Sequence, residues 1–358
     1  MSETVNNQVV HVKTTHNEYD VTIGRNLHYG RMLSDIIGKR TVMLVSDDTV
    51  FALYGEKAVS ELRECGFEVF HFVFPHGETS KNMDTVSALL EYSVDCGLTR
   101  KDIFAALGGG VVGDLTGFVA AIYQRGVDFV QFPTTLLAAI DSSVGGKTAV
   151  DLSNGKNLVG SFHQPIGVFC DIDTFETLPD EVFNDGMAEA IKYGMIYDAS
   201  LMSGFENACF DTVEMVRRCV EIKAIVVEED EYELGIRKIL NFGHTVGHAI
   251  ETKSRFTIGH GSAVGIGMVM VTKAYEDKMG INTEAETSMT QRLIKALTNF
   301  ELPISTEYPA SELAAMAKAD KKREGSAINV VLPVEIGKVQ IKKMTMDEWI
   351  DFLSGGTK

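Results

Sequence analysis

Three histidines lie within 17 positions of one another in the second half of the chain. His244 and His248 are four residues apart, so on a helix they lie on one face, one turn from each other. His260 follows after a short connection. Neutral imidazole binds zinc and similar divalent ions, and three protein ligands with one open position are typical of a catalytic zinc site. The spacing also fits a capped or solvated histidine pair, because no glutamate follows the first histidine as in the zincin motif.

Glycines in the first half have the spacing of a dinucleotide fingerprint, Gly108-x-Gly110-x-x-Gly113, between a predicted strand and a predicted helix. Glycine lets the backbone approach a pyrophosphate closely, and the helix N-terminus then faces the phosphates. The acidic residue expected about twenty positions later is missing, and Asp47, at the end of an earlier predicted strand, is the better candidate for a ribose contact. The alternative is an ordinary tight turn between strand and helix.

Two further segments, 141–147 and 154–157, are rich in glycine and carry Lys147 and Lys156. Free backbone N–H groups and lysines together can neutralise a phosphate or a carboxylate. The spacing is not that of a P-loop. The alternative is a solvated loop that happens to carry lysines.

Glu189 and Lys192 are three residues apart, which predicts that they share one helical face. Such pairs are commonly surface ion pairs of small energy. Here the neighbouring residues are small and apolar, which favours a carboxylate that faces a metal ion. Other cationic residues, at positions 125, 223, 237 and 321–323, could bind anions, although each alone also fits an ordinary surface.

Composition limits the classes of function. The chain has 358 residues, 33 Lys and Arg against 50 Asp and Glu, and a formal net charge of −17, which argues against general binding to nucleic acid or anionic membranes. The five cysteines are scattered and form no Cys-x-x-Cys, which predicts reduced thiols. Without a signal-peptide pattern or a long apolar run, the sequence predicts a cytoplasmic protein.

Apolar runs and amphipathic stretches alternate in the first half. Strands are predicted at residues 41–45, 68–74, 102–107 and 128–132, with helices at about 50–65, 81–96 and from about 114 onwards. Two alternating stretches before residue 24 predict an antiparallel pair. The pattern predicts a parallel, Rossmann-like sheet covered on both faces, with ligands beyond the carboxyl ends of its strands.

From about residue 178 helical periodicity dominates, and only the apolar runs 327–332 and 339–341 predict a hairpin. We therefore expect an α/β domain at residues 1–179 and a mainly α-helical domain at residues 180–358.

The chain resembles the 3-dehydroquinate synthase family of the sugar-phosphate cyclase superfamily over nearly its whole length. The most specific segments are ALGGGVVGDLTG (106–117), FPTTLLAAIDSSVGGK (132–147), GMAEAIK (186–192) and LNFGHTVGH (240–248). The first forty residues and the segment after Asn282 match more loosely. The fold that the resemblance implies is the dehydroquinate synthase-like one, with NAD in the first domain and metal and substrate in the second.

The resemblance implies an NAD- and metal-dependent carbon–oxygen lyase that recycles its NAD+ within each turnover and uses one Zn2+ or Co2+ ion. It implies that the metal ligands are Glu189, His244 and His260, and that His248 faces the substrate instead of the metal. The positions that it implies for NAD are Asp47, Glu78, Lys81, Gly109, Gly110, Val111, Gly113, Asp114, Thr134, Thr135, Lys147, Lys156, Thr174 and Thr177.

Substrate and catalytic positions follow from the same resemblance. The catalytic positions are Lys147, Asn157, Lys192, Arg237, Asn241 and His248. The substrate-binding positions are Arg125, Asp141, Lys156, Lys223 and one of Lys321 and Lys322. The arginine that matches Arg125 reaches the neighbouring subunit's site in the family, which implies a homodimer.

The implied reaction converts 3-deoxy-D-arabino-heptulosonate 7-phosphate to 3-dehydroquinate and phosphate, in the shikimate pathway of aromatic amino acid and chorismate biosynthesis. Hydride leaves C5 for NAD+, phosphate is eliminated, hydride returns, and an intramolecular aldol closure forms the ring. Lys147, Lys156 and Asn157 would hold the phosphate, and Lys223 and Arg237 the carboxylate.

Three alternatives remain open from the residues. Another sugar-phosphate cyclase, such as an aminodehydroquinate or 2-deoxy-scyllo-inosose synthase, would share the NAD and metal motifs. A polyol dehydrogenase of the glycerol-dehydrogenase type would share the architecture but need no phosphate-binding residues, so Lys147 and Asn157 argue against it. A nucleotide-binding regulatory protein would leave the metal and anion positions unexplained.

Overall fold

The computed structural model describes residues 7–320 and 327–355, with the side chains of 317–320 left out of the description. Seven strands form one sheet in the order β1-β2-β9-β6-β5-β3-β4, in which β1 is antiparallel to β2 and every other pair is parallel. Two separate hairpins, β7-β8 and β10-β11, complete the described strands. The strand bounds are β1 Gln8–Lys13, β2 Glu18–Gly24, β3 Thr41–Asp47, β4 Glu68–Phe74, β5 Ile103–Gly108, β6 Asp128–Pro133, β7 Lys147–Leu152, β8 Gly155–Phe162, β9 Val168–Asp171, β10 Ala327–Glu335 and β11 Lys338–Thr345.

Helices make up most of the remaining elements. Their bounds are α1 Tyr29–Ile36, α2 Asp48–Val50, α3 Glu56–Glu64, α4 Met83–Asp95, α5 Gly110–Ile122, α6 Asp180–Ile196, α7 Ala199–Glu206, α8 Thr212–Glu229, α9 His244–Lys253, α10 His260–Lys278, α11 Met289–Thr298, α12 Ala310–Asp320 and α13 Met346–Leu353. A π-helical turn at Phe51–Gly55 joins α2 to α3. In the described part of the chain no helix is both long and apolar enough to cross a membrane.

The parallel sheet is covered on both faces, as its sequence predicts. All six residues of β5 are buried, and β3 is buried from Val42 to Ser46. On one face Leu44 packs in a cluster with Leu33 of α1 and Leu62 of α3. On the other face side chains of β3 and β5 pack with α4 and α5. Continuous apolar strands are therefore explained by helices on both sides.

The strand order determines where this sheet can bind a ligand. The chain runs from β3 outward to β4 and then crosses back to β5 on the other side of β3. The loops that leave β3 and β5 therefore turn in opposite directions, and a crevice opens at the carboxyl ends of these two strands. Asp47 ends β3 and Gly108 ends β5.

The described chain divides into two compact units. Unit 1 consists of Met1–Pro179 and Thr212–Tyr232, and unit 2 of Asp180–Asp211 and Glu233–Lys358. The sequence analysis expected a single boundary after residue 179. In the structure Thr212–Tyr232 belongs to unit 1, because α8 packs on β1 and β2.

Two local expectations differ from the structure. Helix α5 begins at Gly110, four residues before the expected start, because Gly109 is its N-cap. The sequence analysis assigned no strand to residues 147–162, where the structure has the hairpin β7-β8, with Thr148 and Val150 of β7 buried in alternation with more exposed neighbours.

Replacing Phe104 by alanine should lower the free energy of unfolding by about 3–5 kcal/mol, the usual cost of truncating a buried phenylalanine. Phe104 is fully buried in β5 and packs edge-on against Tyr123. Denaturant titration measures the change. The control is Val94→Ala, since Val94 is 64% exposed and its truncation should change stability by no more than about 0.5 kcal/mol. Equal effects of the two substitutions would contradict the assigned core.

Candidate functional site

The nucleotide candidates of unit 1 lie at the carboxyl edge of the sheet. Asp47 is the N-cap of α2, and its Oδ1 accepts the N–H of Val50 at 2.8 Å. Burial raises the pKa of Asp47, although the hydrogen bonds from Val50 and Thr49 oppose it. Gly109, the N-cap of α5, follows the neighbouring strand. The first turn of α5, at Gly110 and Val111, therefore presents N–H groups at the crevice, where an anion is favoured.

The glycines of this turn stand where a Cβ would meet neighbouring side chains. A Cβ on Gly113 would lie 2.5 Å from Oε1 of Gln131 in β6, and one on Gly109 would lie 3.1 Å from Cγ2 of Thr135. A Cβ on Gly110 would lie 3.1 Å from Oγ of Ser142. Gly113 lets α5 pack close to β6. Gly109 and Gly110 leave their backbone N–H groups uncovered by a side chain.

Thr134 and Thr135 follow β6 at the same edge. The Oγ1 of Thr135 accepts the N–H of Ala138 at 3.1 Å. Thr134 is 2% exposed, and its Oγ1 has no hydrogen-bond partner among the described residues. A buried hydroxyl without a partner is costly, so Thr134 fits a position that hydrogen-bonds a ligand.

A cluster of lysines and carboxylates joins the hairpin β7-β8 to this region. The Nζ of Lys81 donates to Oδ2 of Asp114 and to Oδ1 of Asn157, both at 2.6 Å. The backbone N–H of Asn157 donates to Asp151 at 2.7 Å, and the Nζ of Lys156 lies 3.7 Å from Glu78. Five predicted positions thus lie together: Glu78, Lys81, Asp114, Lys156 and Asn157.

The pKa values in this cluster follow from burial and charge. Burial lowers the pKa of Lys81, but the carboxylates of Asp114, Glu78 and Asp151 outweigh burial, and the pKa is raised overall. Burial raises the pKa of Asp114, against the opposing charge of Lys81. Lys81 therefore stays a cation throughout the physiological range.

Lys223 of α8 is also placed in unit 1. Its Nζ donates to the carbonyl oxygen of Asp141 and lies 2.5 Å from Oδ1 of the same residue. Lys223 is 5% exposed, and Lys147 is an exposed residue at the start of β7. The substrate candidates Asp141 and Lys223 are thus a contacting pair.

Thr174 and Thr177 lie in the 3₁₀ segment Ile172–Thr177 after β9. The hydroxyl of Tyr54 lies 2.5 Å from Oγ1 of Thr177 and donates to the carbonyl of Thr174 at 3.3 Å. Tyr54 was not among the residues predicted from sequence.

Arg125 is placed at the opposite end of α5 from the glycines. Helix α5 has 13 residues, which corresponds to about 20 Å. Arg125 is exposed and has a left-handed backbone, with φ of 73°. It therefore lies away from the nucleotide candidates of its own unit.

The predicted metal ligands converge in unit 2. Glu189 of α6 is fully buried, and its Oε1 lies 3.3 Å from Nε2 of His244 and 3.4 Å from Nε2 of His260. The three ligand atoms all lie within 4.8 Å of one another. Ligand atoms in tetrahedral directions at zinc distances are about 3.3–3.4 Å apart, so these residues fit a divalent ion.

Glycines bring the two histidine-bearing helices together. A Cβ on Gly267 of α10 would lie 2.2 Å from the carbonyl oxygen of Gly243, and one on Gly247 of α9 would lie 3.1 Å from the backbone of Val264. Gly243, the N-cap of α9, has φ of 80°, a left-handed conformation that glycine adopts without strain. The rings of His244 and His260, each the first residue of its helix, are consequently 5.2 Å apart.

Each histidine of this cluster has a second partner that sets its orientation. The Nδ1 of His244 lies 3.1 Å from the carbonyl oxygen of Phe242, which can only accept, so Nδ1 carries the proton and Nε2 keeps its lone pair. The Nδ1 of His260 lies 3.4 Å from Oε1 of Glu251. These are the partners that orient histidine ligands in metal sites.

His248 belongs to a different possible metal group, made of His248, Glu251 and His260. It is exposed, whereas Glu189 and His244 are buried. The two groups share His260 but use it differently, since its Nε2 faces Glu189 and its Nδ1 faces Glu251. The buried group has the more complete set of supporting hydrogen bonds.

The two histidines that face Glu189 differ in charge. Burial lowers the pKa of His244 to about 3, so it is neutral. Burial also acts to lower the pKa of His260, but Glu189 and Glu251 outweigh burial and raise the pKa to about 10. The two carboxylates therefore create a strong preference for a cation between them.

The remaining candidates of unit 2 are four cationic residues and one asparagine. The ammonium of Lys192 pairs with Glu189, and both side chains are buried. Arg237 is 1% exposed, and Nδ2 of Asn241 donates to Glu233 at 2.5 Å. Lys321 and Lys322 lie outside the described residues.

Sequence reasoning did not identify Glu233, Glu251 or Asp185, whose carboxylate accepts a hydrogen bond from the first turn of α10. The available signal for Glu251 is its position seven residues after His244, two turns along the same helical face. For Asp185 it is the spacing of four residues before Glu189.

Two family models match consecutive segments of the chain. The family model of the 3-dehydroquinate synthase N-terminal domain matches residues 71–185, and that of the C-terminal domain matches residues 186–323. The 3-dehydroquinate synthase of Streptococcus suis (strain 05ZYH33) is 41% identical over 346 residues, which cover 94% of this chain and 96% of that protein.

Two solved structures show the fold. The 2-epi-5-epi-valiolone synthase ValA from Streptomyces hygroscopicus subsp. jinggangensis 5008, with NAD+ and Zn2+ bound, has a TM-score of 0.84 at 28% identity, covering 95% of this chain and 97% of that one. A 2-deoxy-scyllo-inosose synthase complexed with carbaglucose-6-phosphate, NAD+ and Co2+ has a TM-score of 0.83 at 25% identity, covering 98% and 100%.

Replacing Gly267 by alanine should destabilise the protein by about 1–3 kcal/mol, the usual cost of overpacking. The added Cβ would collide with the carbonyl of Gly243 and force apart the helices that carry His244 and His260. Denaturant titration measures the loss. Gly38→Ala is the matched control, because nothing lies within 4 Å of a Cβ at Gly38. A Gly267→Ala protein as stable as the control would contradict the close helix contact.

Proposed function

The chain belongs to the 3-dehydroquinate synthase family, and from this we infer that it converts 3-deoxy-D-arabino-heptulosonate 7-phosphate to 3-dehydroquinate and phosphate, a step of the shikimate pathway. The observation that carries the proposal is the approach of two histidine Nε2 atoms to one oxygen of the buried Glu189. That arrangement suits one divalent ion with an open coordination position.

We propose Zn2+ or Co2+ as the metal and NAD+ as the redox cofactor. Support comes from the donor set of one carboxylate and two imidazoles and from the relatives that hold these groups. When bound, the metal would polarise a substrate hydroxyl as a Lewis acid and NAD+ would accept a hydride. Glu251 and the carbonyl of Phe242 would keep the two imidazoles aimed at the ion.

The nucleotide proposal is supported by unit 1. The bare first turn of α5 suits the pyrophosphate, Asp47 at the end of β3 suits a ribose hydroxyl, and the buried hydroxyl of Thr134 suits a polar group of the cofactor. Lys81, held by Asp114, adds a permanent positive charge.

The substrate proposal is supported by buried or partly buried cations in an acidic protein. Lys192, Lys223 and Arg237 are each at most 5% exposed, and a buried cation interacts more strongly with an anion than one in water. We propose that Lys147, Lys156 and Asn157 bind the phosphate, that Lys223 and Arg237 bind the carboxylate, and that Asn241 and His248 position the reacting hydroxyls. An acid substrate favours this family over cyclases of neutral sugar phosphates and over polyol dehydrogenases.

A homodimer and a cytoplasmic location are further parts of the proposal. The dimer is supported by the position of Arg125, at the far end of α5 from the nucleotide candidates. The location is supported by the five cysteines, none of which forms a disulfide in the structure.

Phosphate release tests the reaction. With only catalytic NAD+, the protein should release phosphate from 3-deoxy-D-arabino-heptulosonate 7-phosphate far in excess of the cofactor, lose this activity to a chelator, and regain it with Zn2+ or Co2+. Glu189→Gln should reduce the rate by roughly 100-fold or more, since loss of a ligand exceeds the loss caused by a supporting residue. Glu214→Gln, an exposed carboxylate paired with Arg217, is the control. NADH accumulating in proportion to substrate without phosphate would identify a dehydrogenase instead.

The Thr134→Val variant tests the nucleotide position. It removes the buried hydroxyl at constant volume and should weaken NAD+ binding by about 2- to 10-fold, the value of one net hydrogen bond. Calorimetric titration with NAD+ measures the change. Thr116→Val is the matched control, because Thr116 of α5 also has a buried hydroxyl without a partner among the described residues but is no nucleotide candidate. Equal effects, or none, would count against Thr134 as a cofactor contact.

A further inference from the structure

Helix α10, whose first residue is His260, obtains its N-terminal cap from another helix. Its own N-cap residue is Gly259, which has no side chain to accept a hydrogen bond. Instead, Oδ1 of Asp185 in α6 accepts the backbone N–H of Ser262 at 2.9 Å and the Oγ–H of Ser262 at 3.0 Å. Ser262 is the third residue of the helix, the position that an N-cap side chain normally binds.

Two glycines allow the carboxylate of Asp185 to reach this position. A Cβ on Gly259 would lie 2.5 Å from Oδ2 of Asp185, and one on Gly261 would lie 2.0 Å from the carbonyl oxygen of Asp185. The side chain and the backbone of Asp185 therefore both contact the first turn of α10. This double contact leaves the helix start little freedom to shift along α6.

The same turn of α6 carries the metal ligand Glu189, four residues after Asp185. Residues four apart lie on one helical face, about 6 Å apart along the axis. One end of this turn holds the backbone at Ser262, and the other end presents its carboxylate to His260, two residues earlier in α10, at 3.4 Å. The separation of Glu189 and His260 is thus set by one rigid helical turn.

We propose that Asp185 is a positioning residue of the metal site: by capping α10 from α6 it holds His260 at the distance from Glu189 that a divalent ion requires. The inference rests on the proposed metal site and adds a residue that touches neither metal nor substrate. Its role differs from that of Glu251, which orients the imidazole ring of His260 through Nδ1, whereas Asp185 fixes the backbone that carries the ring.

Three variants at the cap separate its parts. Asp185→Ala removes the acceptor, Asp185→Asn keeps an oxygen that accepts the same hydrogen bonds, and Ser262→Ala removes only the hydroxyl. Glu276→Ala is the matched control. Glu276 is a buried carboxylate in α10 that likewise accepts hydrogen bonds from the first turn of another helix, α11: the N–H of Met289 at 2.7 Å and the hydroxyl of Thr290 at 2.6 Å.

The measurements are the affinity for Co2+ by competition with a chelator, the ligand-field absorption of bound Co2+, and the thermal unfolding of the metal-free protein. Asp185→Ala should weaken Co2+ binding by about 10- to 100-fold, as expected for loss of a residue that orients a ligand, and should alter the absorption bands. Ser262→Ala should weaken it by a few-fold, and Asp185→Asn should stay within about 3-fold. Glu276→Ala should lower the unfolding temperature while binding Co2+ with unchanged affinity and spectrum.

Three results would overturn the inference. Wild-type Co2+ affinity in both Asp185→Ala and Ser262→Ala would show that the cap does not position His260. Equal weakening of Co2+ binding by Glu276→Ala would show that a general loss of stability, and not the cap on α10, explains the effect of Asp185→Ala. Failure of the unsubstituted protein to bind Co2+ would overturn the proposed metal site together with this role for Asp185. If Asp185→Ala does not fold, Ser262→Ala and Asp185→Asn decide the question.

Discussion

Unit 2 depends on one buried carboxylate. Glu189 is fully buried, and a buried charge without partners is strongly unfavourable. Two imidazoles, from α9 and α10, and the ammonium of Lys192, from α6 itself, face this carboxylate. Glycines set the contact of α9 with α10, and α6 carries both Glu189 and Lys192. The close packing of the three helices is therefore the condition under which this charge can remain buried.

Unit 1 forms its candidate site by a different means. There the backbone supplies most of the candidate binding groups. Glycine keeps these groups accessible at positions where a Cβ would meet Thr135, Ser142 or Gln131. Side-chain charge is contributed by Asp47 and by Lys81, which joins Asp114 of α5 to Asn157 of the hairpin β7-β8. A backbone site suits the invariant phosphate groups of a nucleotide, while a side-chain site suits a metal ion with directional ligands.

The sequence predicts those parts of the structure that local patterns determine. The apolar runs of β3 and β5 predict a buried parallel sheet, and the glycine spacing predicts the turn before α5. Spacing alone would pair His244 with His248, because Glu189 lies 55 residues earlier and only the packing of α6 against α10 brings it close. The hairpin β7-β8 was missed because its glycines and lysines resemble a loop. Asp185 and Glu251 were missed because their function is to hold other residues, which leaves no signature in residue type.

The chain passes between the two units three times, after residues 179, 211 and 232. The segment that completes unit 1, helix α8, is separated from the rest of that unit by α6 and α7. During synthesis, β1 and β2 are made before the helix α8 that covers them, and the proposed metal ligand Glu189 is made before unit 1 is complete. Since domains generally fold as units, neither unit can be released as a contiguous fragment cut at residue 179. The minimal contiguous piece that contains all of unit 1 extends to Tyr232 and includes two helices that belong elsewhere.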